Sequence, residues 1–358
     1  MKAGPRVLVA GGGALGRVCA LALARAGADV ILADPNPPGV GASGVAAGML
    51  APAFESLFDA EGGDPPLLTR ARDLWAPLAA SIGLSLDRRG AMAVGSGEQV
   101  DLWERGLRST GATAERLAAA SVTDRSPGVA AGLEAVWTGE DWRLDPHEAL
   151  AALTAAAGER GVRERRASVE GFDGGRASLS NGETIDADAL VIATGHYRAL
   201  ADLAPELSAL TPIKGHILRA PGLAFGGPVV RARGAYICPS TAGALIGATM
   251  EEGRDDDTIE PGQAATLCAA ATAVFPAFAD TPLIAATGVR GATPDRWPLV
   301  GLTRTHGVWL AVGARRNGWL LAPLIAEALT ASLLRGEEGP DARRFDPARL
   351  AALSPRRA

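Results

Sequence analysis

A chain of 358 residues, 47 % apolar and 21 % charged, has ample core material and exceeds the roughly 250–300 residues at which one hydrophobic core stops growing, so two structural domains are expected. The formal charge of −5, with no basic stripe, excludes nucleic acid as a partner. Three isolated cysteines, Cys19, Cys238 and Cys268, exclude a disulfide framework and a Cys-x-x-Cys metal knuckle, which fits a reducing cytoplasm and no bound metal.

Arg6 to Ala10, RVLVA, is a short β-branched run that leads directly into GGGALG at 11–16. Helical spacing follows from Ala14 to Ala28, Gly27 punctuates it, and Asp29 to Ala33 reads as a second strand ending in Asp34. This is a βαβ unit, so the apolar run 18–28 is a helix and not the core of a signal peptide. Gly11 permits the turn, Gly13 lets backbone approach a pyrophosphate, and Gly16 lets the helix pack on the strand. The phosphates would sit at the helix N-terminus, at Ala14 and Leu15. Asp34 follows Gly16 by 18 residues, close to the roughly 20 at which an acid reaches ribose hydroxyls.

An NAD domain would continue into a third strand and helix. Here the chain enters GVGASGVAAGMLAP at 39–52, small residues with almost no charge, suited to close packing against something. This loop resembles the one by which the glycine oxidase and D-amino acid oxidase family lines the pyrophosphate and flavin ring of FAD. The resemblance assigns Ser43, Ala46, Ala47, Gly48 and Met49 to the cofactor.

Residues 66 to 120 read as amphipathic helices around a short strand near 90–94, with Trp75 and Trp103 on their apolar faces as core residues. The segment 142–161 starts with Asp-Pro and runs as an Ala- and Leu-rich helix. Ser168 to Leu179 reads as a hairpin around Asp173-Gly174-Gly175, and Ala167 matches the family's adenine contact. IDADALVIATG, 185–195, reads as one buried strand ending at the nucleotide's edge in Gly195. His196 beyond it reads as local variation. PIKGHILRA, AYICPS and GALIGATM, within 212–250, form an antiparallel sheet for the substrate pocket. All four histidines lie outside a recognisable triad or metal spacing.

By the same resemblance Tyr236 reaches the substrate carboxylate and Met250 walls the pocket. The family's histidine two residues before this tyrosine is Gly234 here, and its frequent arginine after the strand proline is Ser240. In TGVRGATPDRWPLVG, Gly288, Arg290, Thr293, Asp295 and Pro298 match the family's G-x-R-x-x-T-x-D-x-x-P pattern. Arg290 is thereby the cation for the carboxylate, since a planar guanidinium fixes rotation as well as position. Gly291 replaces a usual proline, and Trp297 a usual small residue at the pocket or its rim.

The run 308–334 reads as strand, glycine turn and long apolar helix. Arg315 and Arg316 interrupt it, so it is unsuited to span a bilayer. Its helix N-terminus would face the flavin, with Arg316, Asn317, Gly318 and Trp319 matching the family's flavin-contacting turn. A histidine and an aromatic of that turn are replaced by Ala314 and Arg315. Pro323 leaves the helix start open by about a turn.

The resemblance covers residues 6 to about 350. It implies an α/β fold with a Rossmann-like FAD-binding domain (1–75, 140–205 and 286–358) interleaved with an antiparallel-sheet substrate domain (76–139 and 206–285). The activity it implies is FAD-dependent oxidative deamination of glycine or another small amino acid or amine, giving an imine and then a 2-oxo acid, in the service of thiamine biosynthesis. Oxygen, yielding peroxide, or another electron acceptor would reoxidise the flavin. Two alternatives stay open: a D-amino acid dehydrogenase using a non-oxygen acceptor, and a flavin-binding protein without catalysis. Assembly as a homo-oligomer is open as well.

Overall fold

The computed structural model describes residues 4–58 and 63–350. Its first strand, Arg6–Ala10, is buried from Val7 to Ala10. It lies inside a six-stranded sheet ordered Leu299–Leu302, Val308–Val312, Ala189–Ile192, Arg6–Ala10, Asp29–Ala33, Arg163–Arg165. All neighbours are parallel except the edge pair of Leu299–Leu302 with Val308–Val312. Such a sheet must be covered on both faces, and the two-residue period divides its side chains accordingly. Val7, Val9, Val30, Leu32 and Val191 join the core beneath helices Ala14–Arg25, Pro146–Glu159 and Gly318–Arg335. Leu8, Ala10, Ile31, Ala33, Leu190 and Ile192 join a second core beneath a small antiparallel sheet.

That small sheet corrects the reading of 185–195 as one strand. Thr184–Asp186 pairs with Arg176–Leu179 in the small sheet, and only Ala189–Ile192 enters the large one. The chain is bent between them because the Ala187 N–H donates to Gly175 O and the Asp188 N–H to Arg6 O. The bend puts successive strands in different layers.

Gly318–Arg335 starts at Gly318 and runs through Pro323. Proline cannot donate to the carbonyl four residues back, at Trp319, and that oxygen instead accepts the Trp75 indole N–H at 2.7 Å. The helix is long and apolar enough to cross a membrane by composition, yet Trp319 to Ala326 are buried in the core of this fold.

The second large sheet has nine strands. Thr211–Pro221 pairs with Gly243–Gly247, Glu251–Glu252 and Ile284–Ala292, and the sheet continues through Ala235–Ser240, Val229–Ala232 and Ala91–Gly95 to Glu134–Thr138 and Glu115–Leu117. The loop 42–58 lies on one of its faces, where Ala47 and Phe54 are buried against Ala93, Ile217, Val229 and Cys238.

Candidate functional site at the junction of the two sheets

The glycine turn is shaped by contacts only hydrogen permits. Gly11 takes φ +108°, and a Cβ there would lie 2.5 Å from Ala193 O; a Cβ on Gly16 would lie 1.8 Å from Gly11 O. The helix Ala14–Arg25 can therefore press onto the strand end. Its first turn has no acid, and Gly13 offers no side chain to cap it, so the helix end keeps its affinity for an anion. Ser43 Oγ accepts the Ala14 N–H at 2.9 Å, which ties the loop to this end. Leu15 beside it is half-buried.

Asp34 binds backbone on both oxygens, taking Gly12 N–H at 2.6 Å and Asn36 N–H at 2.7 Å. It borders a cavity of about 140 Å³ lined with Leu32, Glu164, Arg165 and Arg166. Buried Ala167 follows that wall, and Gly195, at φ +71°, leaves the neighbouring strand end. Arg17, missed in the sequence because it reads as an outward helix residue, is 2 % exposed. Its Nε donates to Gly12 O at 2.9 Å and its Nη1 to Glu164 Oε1 at 2.6 Å, so it pins the glycine turn from below. These features lie at the carboxyl ends of parallel strands, where open α/β sheets take nucleotides. A narrow glycine cradle, a helix end whose N-cap glycine carries no side chain and an acid at the next strand end fit the adenosine and pyrophosphate of FAD.

Register places the substrate candidates on one sheet face. Arg290 opposes Ile213; Ile213, Gly215 and Ile217 alternate onto one face; Ile217 opposes Gly247; Gly247 opposes Tyr236; and Tyr236 opposes Arg231. Arg290, Tyr236 and Arg231 thus project to the side covered by the loop 42–58. The glycines between them make the space. A Cβ on Gly215 would lie 2.4 Å from Arg290 Nη1, and one on Gly247 would lie 2.2 Å from the Tyr236 hydroxyl. Met250 Sδ is 3.8 Å from Arg290 Nη1, as a wall residue would be. Gly291 is explained too: a Cβ there would lie 2.9 Å from Gly195 O.

Met250 is held by its neighbours. His216, fully buried, accepts the Glu260 N–H on Nε2 at 2.9 Å, so its proton sits on Nδ1, which faces Glu251 Oε1 at 2.9 Å. Thr249 Oγ1 donates to the same oxygen at 2.8 Å. The sequence showed no such histidine–carboxylate grouping, because strand pairing of Ile213 with Glu252 is what joins residues 35 apart. It is not a catalytic triad: the imidazole nitrogen that would need to be free is taken by backbone. The grouping anchors the segment that carries Met250.

The far turn closes the site. Arg315, at φ +52°, donates its N–H to Gly291 O at 3.0 Å, which docks the Gly313–Asn317 turn beside Arg290. Trp319 Nε1 donates to Ser43 O at 3.0 Å, so the turn and the loop 42–58 meet. Asn317 is the N-cap residue and Gly318 begins the helix. Trp297 does not join this group. It packs against Phe345 at 6.1 Å with Arg344 stacked over it, under the C-terminal helix. His196 packs against Tyr197 with tilted rings 4.1 Å apart, and burial lowers its proton affinity.

Electrostatics centre on Glu55, which sequence reading missed. It is 6 % exposed; Oε1 accepts from Arg231 Nη2 at 3.0 Å, and Oε2 lies 2.5 Å from Arg316 Nε. Arg231 Nη2 also lies 3.5 Å from Met49 Sδ. Burial lowers the proton affinity of Arg290, opposed by the nearby Tyr236; Arg316 and Arg315 lower it further, and Glu55 opposes them. Burial also pushes the Tyr236 hydroxyl up, so it stays protonated and able to donate.

Helix Pro52–Phe58 carries Glu55, and its N-terminal N–H groups from Ala53 and Phe54 reach buried Asp141 at 2.8 and 3.3 Å. Burial raises the Asp141 carboxyl to about 6, against the pull of Arg231 and these two N–H groups. A value raised in the fold means the native state holds the proton more tightly than the unfolded chain. The stability this adds is present below the ordinary carboxyl value near 4 and is lost as pH rises to 6. Asp141→Asn should therefore cost about 1–3 kcal/mol by denaturant unfolding, with the gap to wild type widest below pH 4 and narrower above pH 6.

A family model described as FAD dependent oxidoreductase matches residues 6–332. The putative thiamine biosynthesis oxidoreductase ThiO of Rhizobium etli is 31 % identical over 354 residues, covering 94 % of this chain and 99 % of the relative. The crystal structure of glycine oxidase from Geobacillus kaustophilus superposes with a TM-score of 0.82 at 25 % identity, covering 96 % and 99 % of the two chains. That of iminodiacetate oxidase from Chelativorans sp. BNC1 does so with a TM-score of 0.83 at 27 % identity and the same coverage.

Proposed function

The chain belongs to the FAD-dependent oxidoreductase family and uses FAD, and from that premise we propose that it oxidises glycine or another small amino acid at the carbon beside the amine. The observation that carries the reading is the shared face of Arg290 and Tyr236, one guanidinium and one protonated hydroxyl opening onto the loop 42–58. Arg290 would hold the substrate carboxylate by two parallel hydrogen bonds, and Tyr236 would donate a third. Met250 would form the pocket wall on its exposed side, while Met49 and the covering loop would exclude water, which favours the neutral amine that the reaction needs. Bound FAD would supply the two-electron oxidising chemistry at Cα, and water would hydrolyse the imine product to a 2-oxo acid with release of ammonia or an amine. No nucleophile or general base is required of the protein.

On the cofactor side, Gly11, Gly13 and Gly16, with the end of helix Ala14–Arg25, would hold the pyrophosphate, and Asp34 and Ala167 would flank the adenosine. Ser43 to Met49, Gly195 and Arg316 to Trp319 would line the rest. We divide the chain into cofactor segments 1–75, 140–205 and 286–358 and substrate segments 76–139 and 206–285. Strand Ile284–Ala292 carries Arg290 across the junction. The names of the Rhizobium and Geobacillus proteins support glycine as substrate and thiamine biosynthesis as setting. The test is peroxide release from air-saturated protein across a panel of small amino acids. Glycine or sarcosine should lead, and dye reduction without peroxide would replace the oxidase by a dehydrogenase.

A further inference from the structure

We propose that Glu55 is a specificity-determining residue: its carboxylate fills a second anion position beside Arg290 and restricts the site to substrates with one carboxylate. The proposal deepens the amine-oxidising reading and relies on it for where the substrate sits. The guanidiniums of Arg231 and Arg316 converge on Glu55, which bonds Arg231 through one oxygen and approaches Arg316 Nε with the other. Arg231 stands in the row Arg231–Tyr236–Gly247–Ile217, and Arg290 projects from the same sheet face opposite Ile213, four residues along that strand. Arg316 comes from the turn that Arg315 N–H fastens to Gly291 O, and Glu55, Arg315 and Arg316 all act on the charge of Arg290.

Glu55 is held rigidly for this task. Its helix is capped by Asp141, which also faces Arg231. The two oxygens of Glu55 are directed at Arg231 and Arg316, so a substrate monocarboxylate takes Arg290. A diacid would set its second carboxylate against that of Glu55 in surroundings of low dielectric, where like charges repel strongly.

The test compares acetate with malonate, the same acid bearing a second carboxylate, by calorimetric titration of FAD-loaded protein. Wild type should bind acetate at least tenfold more tightly than malonate. Glu55→Gln should raise the malonate-to-acetate affinity ratio at least tenfold, a gain that structural damage does not produce. Because that variant leaves Arg231 buried without its partner, the double variant Glu55→Gln with Arg231→Gln is measured beside it and should keep a malonate-to-acetate ratio above that of wild type. Equal binding of the two acids by wild type would overturn the proposal. So would an unchanged or lower ratio in a variant that keeps its flavin spectrum. Acid binding needs no turnover, so a shifted ratio in protein that fails to oxidise any small amine would sink the amine-oxidising reading and leave the role of Glu55 standing.

Discussion

Arg290→Ala lowers kcat/KM for the substrate amino acid by roughly two to four orders of magnitude, as expected when a carboxylate loses a charged, two-pronged partner in a partly desolvated site worth about 3–5 kcal/mol. FAD should stay bound, because Arg290 projects from the second sheet, lies against Met250 and feels the charges of its surroundings. Steady-state kinetics and the visible flavin spectrum read the two halves separately. Arg290→Lys should recover only a minor part of the loss, since an ammonium cannot match both carboxylate oxygens in one plane. Gly215→Ala should give a weaker version of the same defect, because its Cβ would fall 2.4 Å from Arg290 Nη1 and 2.8 Å from Thr249 O. Loss of flavin from Arg290→Ala would show that the arginine serves the cofactor instead.

Gly16→Ala has the opposite signature. Its methyl would need the space of the Gly11 carbonyl oxygen, 1.8 Å away, so the helix must withdraw from the strand and the anion-facing end moves with it. FAD occupancy of purified protein should fall at least tenfold, with a stability loss of about 1–3 kcal/mol. The control is Gly158→Ala, in helix Pro146–Glu159, where a Cβ meets nothing within 4 Å. That change should leave the flavin in place and stabilise by about 0.5–1 kcal/mol. Equal flavin content in the Gly16 and Gly158 variants would remove the glycine turn from the cofactor site.

The two variants mark how unevenly the molecule was written in its sequence. The first βαβ unit was legible because local signals agree there: β-branched runs, three spaced glycines, and an acid at the next strand end. The antiparallel runs within 212–250 were legible for the same reason. Arg290 stood out only through the motif around it, and Tyr236 through the same likeness. Glu55, Arg231 and Asp141 were not legible at all. They lie in PAFESLF, VVRARG and GEDW, which carry no spacing signal, and only the packing of the loop 42–58 on the second sheet buries them together. Arg17 was hidden differently, since a helix arginine reads as solvated until a carbonyl and a carboxylate are found beneath it. The misreading of 185–195 came from treating an unbroken apolar pattern as one strand, where two backbone hydrogen bonds bend the chain between layers.

The proposed arrangement has Arg290 and Tyr236 presenting a small amino acid to the flavin held between the glycine turn and the Arg316–Trp319 turn. Its most direct test is anaerobic mixing of FAD-loaded protein with glycine and, in parallel, sarcosine, followed by the visible absorption of the flavin. Bleaching in wild type that disappears in Arg290→Ala, with FAD still bound, is the predicted result. A yellow solution that stays yellow with these and every other small amino acid would contradict it.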